Sequence, residues 1–62
     1  MPWLRLMPRK GKLMALYRTL RNSGWTPQLE DGAVLVNIGR KHSILNEKPL
    51  SEWIHSIEEV DK

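Results

Sequence analysis

The sequence predicts a small single-domain α+β protein: a helix, then a β-hairpin or three-stranded antiparallel sheet, then a second helix, with an N-terminal arm. Apolar residues recur at helical spacing both before and after residues 25–45. Between them, Asp31-Gly32 is a strong hairpin signal, because a tight primed turn needs positive φ, which Asp tolerates and Gly accepts freely. The following run, Ala33 to Ile38, is apolar and rich in β-branched residues, as is typical of a half-buried strand.

The length of 62 residues corresponds to one domain over residues 9–62, preceded by the arm over residues 1–8. Domains of this size bury only roughly 60% of their unfolded surface. They usually gain stability from disulfides, a metal or a partner. The absence of cysteine excludes disulfides and thiolate metal sites. A homodimer is therefore one expected arrangement, and close packing by the three tryptophans is the alternative.

The apolar runs are far shorter than the ~18 residues that a membrane span needs. At the start of the chain, Pro2, Arg5 and Pro8 interrupt the apolar residues, so the continuous core of ~7–15 residues of a signal peptide is missing. We therefore expect a soluble, cytoplasmic protein without a membrane partner.

The arm alternates in the strand period, with Leu4 and Leu6 between Trp3, Arg5 and Met7. It is predicted to add an edge strand to this sheet or to that of a neighbouring molecule, and a disordered terminus is the alternative. The candidate protein-interaction residues are Trp3, Leu4 and Leu6, which would also mediate self-association.

The first helix is predicted over residues 10–23, and Gly24 suits the left-handed position after it. Lys10, Met14, Arg18 and Arg21 would follow one flank of that helix. Its start has no clear capping residue and is crowded with cations, which a bound phosphate would relieve. The alternative is that the helix starts later and that these cations belong to a solvated tail.

In the sheet, Val34, Val36 and Ile38 are predicted to face the helices, and Leu35 would be covered by the arm or by a second subunit. A second turn at residues 39–41 would lead to a third strand near residues 42–45. The second helix is predicted over residues 49–60. The expected core comprises Leu16, Leu20, Trp25, Val34, Val36, Trp53, Ile54 and Ile57.

Charge is distributed unevenly along the chain. Residues 1–25 carry +6, residues 26–46 carry zero and residues 47–62 carry −3, which sums to +3. A basic face for an anionic partner is one interpretation, and uneven charge without a binding role is the other. The first predicts a small nucleic-acid-binding, specifically DNA-binding, regulatory protein with contacts from Arg9, Lys10, Lys12, Arg18, Arg21, Arg40 and Lys41.

No pattern of catalytic, metal-binding or cofactor-binding residues is present. His42 and Ser43 are adjacent, so their side chains diverge in an extended segment. His55 and Glu59 are four residues apart, which is more typical of a solvated pair than of a metal site. Phosphate-binding glycine loops are missing. We therefore expect a protein that is not an enzyme and that has neither a cofactor nor a metal.

The order helix, Gly24-Trp25, hairpin, helix, with Pro49-Leu50 after the strand, resembles the small RNA-cleaving toxins of the HicA type, which implies a double-stranded-RNA-binding-like fold. That family's Gly-Ser-His strand has no counterpart here, so no catalytic residue is assigned. The helix with a basic hairpin also resembles the winged part of excisionase-like DNA binders. The alternative function is a protein-interaction module or inhibitor that docks on a larger protein. A third function, which the first resemblance implies, is an RNA-cleaving toxin of the HicA type.

Overall fold

The computed structural model describes residues 3–60, which form one four-stranded antiparallel sheet covered on one face by helices. The elements are β1 (Trp3–Pro8), α1 (Leu13–Asn22), β2 (Gln28–Glu30), β3 (Ala33–Val36), a 3-10 helix (His42–Asn46), α2 (Leu50–Trp53) and β4 (Ile54–Val60). The strand order is β2-β3-β1-β4. Because β3 is antiparallel to both β1 and β2, α1 connects two parallel strands that are separated by β3, as in a split β-α-β unit.

The α+β class, the first helix and the hairpin are confirmed. Asp31 and Gly32 form a two-residue connection between β2 and β3, with Glu30 opposite Ala33. Their φ angles of 39° and 77° are both positive, which is the geometry that this dipeptide predicts. The helix α1 ends at Asn22, and Gly24 follows with a φ of 96°.

The arm prediction is wrong for residues 3–8, which form the interior strand β1 between β3 and β4. Leu4 and Leu6 are 2% and 0% exposed and belong to the hydrophobic core. An edge strand pairs on one side only. β1 pairs on both sides, because β4 occupies the side that β3 leaves open. Residues 1 and 2 of the predicted arm lie outside the described residues.

The predicted helix over residues 49–60 is also wrong. After the cis Lys48–Pro49 bond, the chain makes one helical turn and then continues as β4. Residues Ile54, Ile57 and Val60 recur at a spacing of three, which fits a helix, but they are β-branched and the edge of β1 offers them a partner strand. The described chain, residues 3–60, therefore begins and ends on strands, which is not the helix–hairpin–helix order on which the resemblance to the HicA-type toxins rests.

The third strand predicted near residues 42–45 is a 3-10 helix instead. Both sides of β3 are occupied, by β2 on one side and by β1 on the other. A further strand after the turn at residues 38–41 would therefore have no place beside β3. The chain crosses instead onto the helical face, where Leu45 enters the core.

Most of the predicted core is confirmed. Leu16, Leu20, Val34, Val36 and Ile54 are buried, and Ile38 joins them on the helical face, as predicted. Trp25 and Trp53 are half-buried and pack against this cluster. Ile57 is 47% exposed, because it lies on the outer strand at the uncovered edge of that face. The core also contains Leu4, Leu6 and Leu45, which the sequence pattern did not indicate, and Leu50, whose helical spacing with Trp53 and Ile54 predicted that it packs on the sheet.

The face of the sheet without helices is covered by an arginine. Arg5 lies opposite Leu35 on β3 and Glu58 on β4. Its guanidinium donates to Glu58 Oε1 at 2.8 Å and to Glu30 Oε1 of β2 at 3.1 Å, so the side chain crosses β3. Leu35 beneath it is 0% exposed. Partly exposed ion pairs contribute only about 0–1 kcal/mol each, so the packing of the arginine stem matters as much as the charges.

Candidate nucleic-acid interface

A turn rich in cations connects β1 to α1, and we call Arg9-Lys10-Gly11-Lys12 the basic turn. The backbone N–H of Lys12 donates to the carbonyl of Arg9 at 3.0 Å, and Gly11 has a φ of 77° at the third position, as in a type II turn. The N–H of Arg9 donates to the carbonyl of Trp53 at 2.7 Å. The basic turn is therefore attached to the fold and is not a solvated tail.

The helix α1 begins at Leu13, which is the later start that the sequence also allowed. The prediction that Lys10 belongs to the flank of the first helix is wrong. Lys10 lies in the basic turn, and Gly11 separates it from the start of α1. No side chain caps the start of α1, and its first turn contains no acidic residue. Lys12 therefore lies at the positive end of the helix dipole, where a cation is unfavourable.

The outer face of α1 consists of Met14, Arg18 and Arg21, which are all exposed. These residues point away from the buried Leu16 and Leu20. At a rise of 1.5 Å per residue, the helix carries its cations over roughly 14 Å from Lys12 to Arg21. The basic turn places three of the seven predicted cations at the N-terminal end of α1, and Arg18 and Arg21 lie on the outer face of the helix. At about 100° per residue, Lys12 lies on the opposite side of the helix axis from Arg21.

The cations of this surface lack carboxylate partners. Within residues 3–60, both ion pairs are made by Arg5, and the five cations from Arg9 to Arg21 make none. Two of the glutamates, Glu30 and Glu58, are engaged on the opposite side of the sheet. The surface around α1 therefore retains its positive charge. The sequence alone did not reveal this separation, because it depends on which strand faces which.

The two remaining predicted cations, Arg40 and Lys41, are exposed but do not form a hairpin tip. They lie in the turn after β3, where the N–H of Lys41 donates to the carbonyl of Ile38 at 3.0 Å. Lys41 lines a groove of about 340 Å³ together with Ser23 and Trp25, beside the C-terminal end of α1. These two cations therefore form a second group, at the other end of α1 from the basic turn.

The predicted protein-interaction residues are placed differently. Leu4 and Leu6 are buried beneath the helical layer, so they are not available to a partner, and this part of the prediction is wrong. Trp3 is half-buried at the start of β1, opposite Val60. The argument for self-association through the arm also fails for these leucines, because their apolar surface is already used inside the chain.

Metal sites and membrane-spanning helices are absent from residues 3–60. No group of histidine and acidic side chains there is arranged to hold a metal ion. None of the helices of that segment combines the length and the apolar character of a membrane span. Comparisons with protein-family models, with curated proteins and with solved structures found no match to this chain.

Lys12→Glu is expected to raise the free energy of unfolding by about 1 kcal/mol, because it replaces an unfavourable charge at the start of α1 with a favourable one. Urea denaturation followed by circular dichroism measures this change. Lys48→Glu is the control, since it makes the same charge change outside α1. A Lys12→Glu chain that is less stable than wild type would show that the first turn does not carry an unfavourable cation.

Proposed function

We propose that this chain is a small cytoplasmic regulatory protein that binds nucleic acid, specifically duplex DNA, through the basic turn and the outer face of α1. One observation carries the proposal. Residues 9–21 contain five exposed cations, and none of them makes an ion pair with another residue of the described chain. A surface of this kind is attracted to a dense polyanion, and the release of condensed counterions then drives binding.

The shape of the surface favours a nucleic-acid backbone over a small anion. The cations are spread over a turn and a convex helix face and do not converge on a pocket. Contacts of this kind position a protein on the duplex without reading the sequence.

Duplex is favoured over single strands because this surface offers no aromatic platform. Single-stranded nucleic acid is usually bound by exposed aromatic rings on which bases stack. Tyr17, the aromatic residue of α1, is only partly exposed and packs against the core cluster. Trp25 and Trp53 pack against the same cluster.

The test removes two phosphate contacts while the fold is retained. Combining Arg18→Ala with Arg21→Ala is expected to weaken binding to all duplex sequences similarly. It should also lower the slope of log affinity against log salt by about 1.8 for duplex DNA, because each of the two lost contacts removes roughly 0.9. Titration of wild type and variant against duplex DNA, single-stranded DNA and RNA at several salt concentrations measures this, and circular dichroism checks the fold.

The matched control combines Lys41→Ala with Lys48→Ala. It lowers the net charge by the same amount, but both residues line the groove beside the C-terminal end of α1. Because these two lysines line the groove and do not belong to the basic turn or the outer face of α1, the control should change the slope by much less than the Arg18 and Arg21 pair. Equal effects of the two pairs would mean that only net charge matters. Absence of wild-type binding to all three nucleic acids at low salt would refute the proposal.

A second candidate function is a module that docks on a larger protein. The observation that favours it is a set of apolar side chains with large exposed fractions: Met7, Met14, Leu29 and Ile57. Retention on immobilised DNA or heparin separates the two functions. A nucleic-acid binder elutes at high salt, whereas an interaction module without affinity for polyanions elutes early.

A further inference from the structure

The outer strand β4 has an unpaired side. It contains seven residues, and within residues 3–60 it pairs only with β1. The strand at the other edge of the sheet, β2, contains only three residues. A long open edge presents backbone N–H and C=O groups that can pair with another strand. The part of β4 from residue 55 to residue 59 is also exposed along its whole length.

A large apolar side chain lies in the middle of this exposed stretch. Ile57 is 47% exposed and lies opposite Leu6, on the face of the sheet that carries the helices. The other residues of this exposed stretch are polar: His55, Ser56, Glu58 and Glu59. Ile57 is therefore its one apolar side chain. A partner strand that places an apolar residue opposite Ile57 would remove this surface from water.

We propose that two copies of this chain associate through β4 in an antiparallel arrangement centred on Ile57, which gives a continuous sheet of eight strands. The sequence of the strand is complementary to itself in this register. Ile57 faces Ile57 of the second copy, Ser56 faces Glu58, and His55 faces Glu59. Apolar residues thus meet apolar residues, and each glutamate meets a neutral or basic polar side chain, which favours cross-strand pairing.

Neighbouring registers lack this complementarity. A pair centred on Glu58 places two glutamates directly opposite each other, and a pair centred on Glu59 does the same. A pair centred on Ser56 places Glu58 opposite Ile54. Like charges directly opposite one another are destabilising in a sheet. The charge pattern therefore selects the register centred on Ile57.

The existing ion pairs of the chain fit this arrangement. Glu58 already accepts a hydrogen bond from Arg5 at 2.8 Å, so its charge is partly compensated within its own chain. Glu59 makes no ion pair with another described residue and is exposed. In the dimer, the imidazole of His55 from the second copy can donate a hydrogen bond to the Glu59 carboxylate, and the symmetry provides this contact twice.

The small area of the contact between the two β4 strands limits the affinity that we expect for the dimer. β4 has a bulge at His55, which has no partner on β1 because Met7 lies opposite Ser56 and Pro8 lies opposite Ile54. The regular ladder of the proposed dimer therefore covers only residues 56–58 of each copy, and His55 meets Glu59 beyond its two ends. Such a contact buries less than the ~1,200 Å² of standard stable interfaces. We therefore expect a weak dimer whose apparent mass rises with protein concentration, between about 10 μM and 1 mM. This association does not depend on the proposed nucleic-acid binding.

Disulfide trapping tests the register directly, because the natural chain contains no cysteine. Ile57→Cys should give a covalent dimer on mild oxidation, since facing residues of antiparallel strands lie within the distance that a disulfide spans. Leu29→Cys is the control, because Leu29 is similarly exposed at 48% but lies on β2. Glu59→Cys tests the register, since its two copies would lie roughly 14 Å apart along the strands. Equal trapping at all three positions, or trapping at Leu29→Cys alone, would overturn the proposal.

A charge exchange provides a second test without cysteine. His55→Glu places two glutamates opposite each other at both ends of the ladder and should weaken dimerisation at least tenfold. Combining His55→Glu with Glu59→Lys restores opposite charges and should recover the association. Sedimentation equilibrium measures both variants. A wild-type chain that remains monomeric at 1 mM, or a double variant that associates no better than His55→Glu, would refute self-pairing through β4.

Discussion

A chain that lacks residues 1–8 is expected not to fold. These residues supply β1, which pairs with both β3 and β4, so two of the three strand pairings of the sheet disappear with them. The core loses Leu4 and Leu6, and β4 loses the one strand with which it pairs in residues 3–60. Small domains are stable by only about 5–15 kcal/mol in total, which the removal of a central strand exceeds.

Circular dichroism and a two-dimensional amide spectrum measure this result. The truncated chain should show poorly dispersed amide signals and no cooperative thermal transition, whereas the full chain should show both dispersion and cooperativity. A dispensable arm would give the opposite outcome, with the same melting temperature before and after truncation. A folded truncated chain would therefore show that β1 is not required for the sheet.

Leu6→Ala is expected to lower the free energy of unfolding by roughly 2–5 kcal/mol. Leu6 is 0% exposed on the central strand, so truncation removes its buried methyl groups and leaves a cavity. Ile57→Ala is the matched comparison, because Ile57 is the cross-strand neighbour of Leu6 but is half-exposed. It should cost less than about 1 kcal/mol in the monomer.

Urea denaturation at low protein concentration measures both variants without a contribution from self-association. The sequence favoured the reverse order, with Ile57 in the core and Leu6 in an arm. A larger loss of stability for Ile57→Ala than for Leu6→Ala would support that order and contradict the placement of β1 inside the sheet.

The elements that the sequence predicted correctly are those determined by short-range signals. The Asp31-Gly32 turn specifies its own geometry, and the stripe of Leu16 and Leu20 specifies a helix face within ten residues. The segments over residues 3–8 and 54–60 were assigned wrongly because each takes its structure from the other. A strand that alternates like β1 is compatible with an edge or an interior position, and only its partner, about fifty residues away, decides between them.

The sequence indicated which cationic residues the candidate interface contains, but it did not indicate how the fold arranges them. Arg9, Lys12, Arg18 and Arg21 are exposed, as expected for a charged surface. Arg5, which was not among the predicted contacts, is the cation that forms ion pairs, and its partners lie 25 and 53 residues away in sequence. No local pattern marks these partners. The basic turn was likewise missed, although Gly11 at the third position of a four-residue segment is a signal for a type II turn.

The pairing of β1 with β4 also determines when the protein can fold during synthesis. Among the strands of residues 3–60, the interior strand β1 is synthesised first, and β4, which covers its second side, is synthesised last. Until residues 54–60 are made, β1 presents an unprotected edge with Trp3 and Met7 beside it. Open strand edges on incomplete chains are sites of aggregation. Ribosome-bound chains that end near residue 50 should therefore remain sensitive to protease.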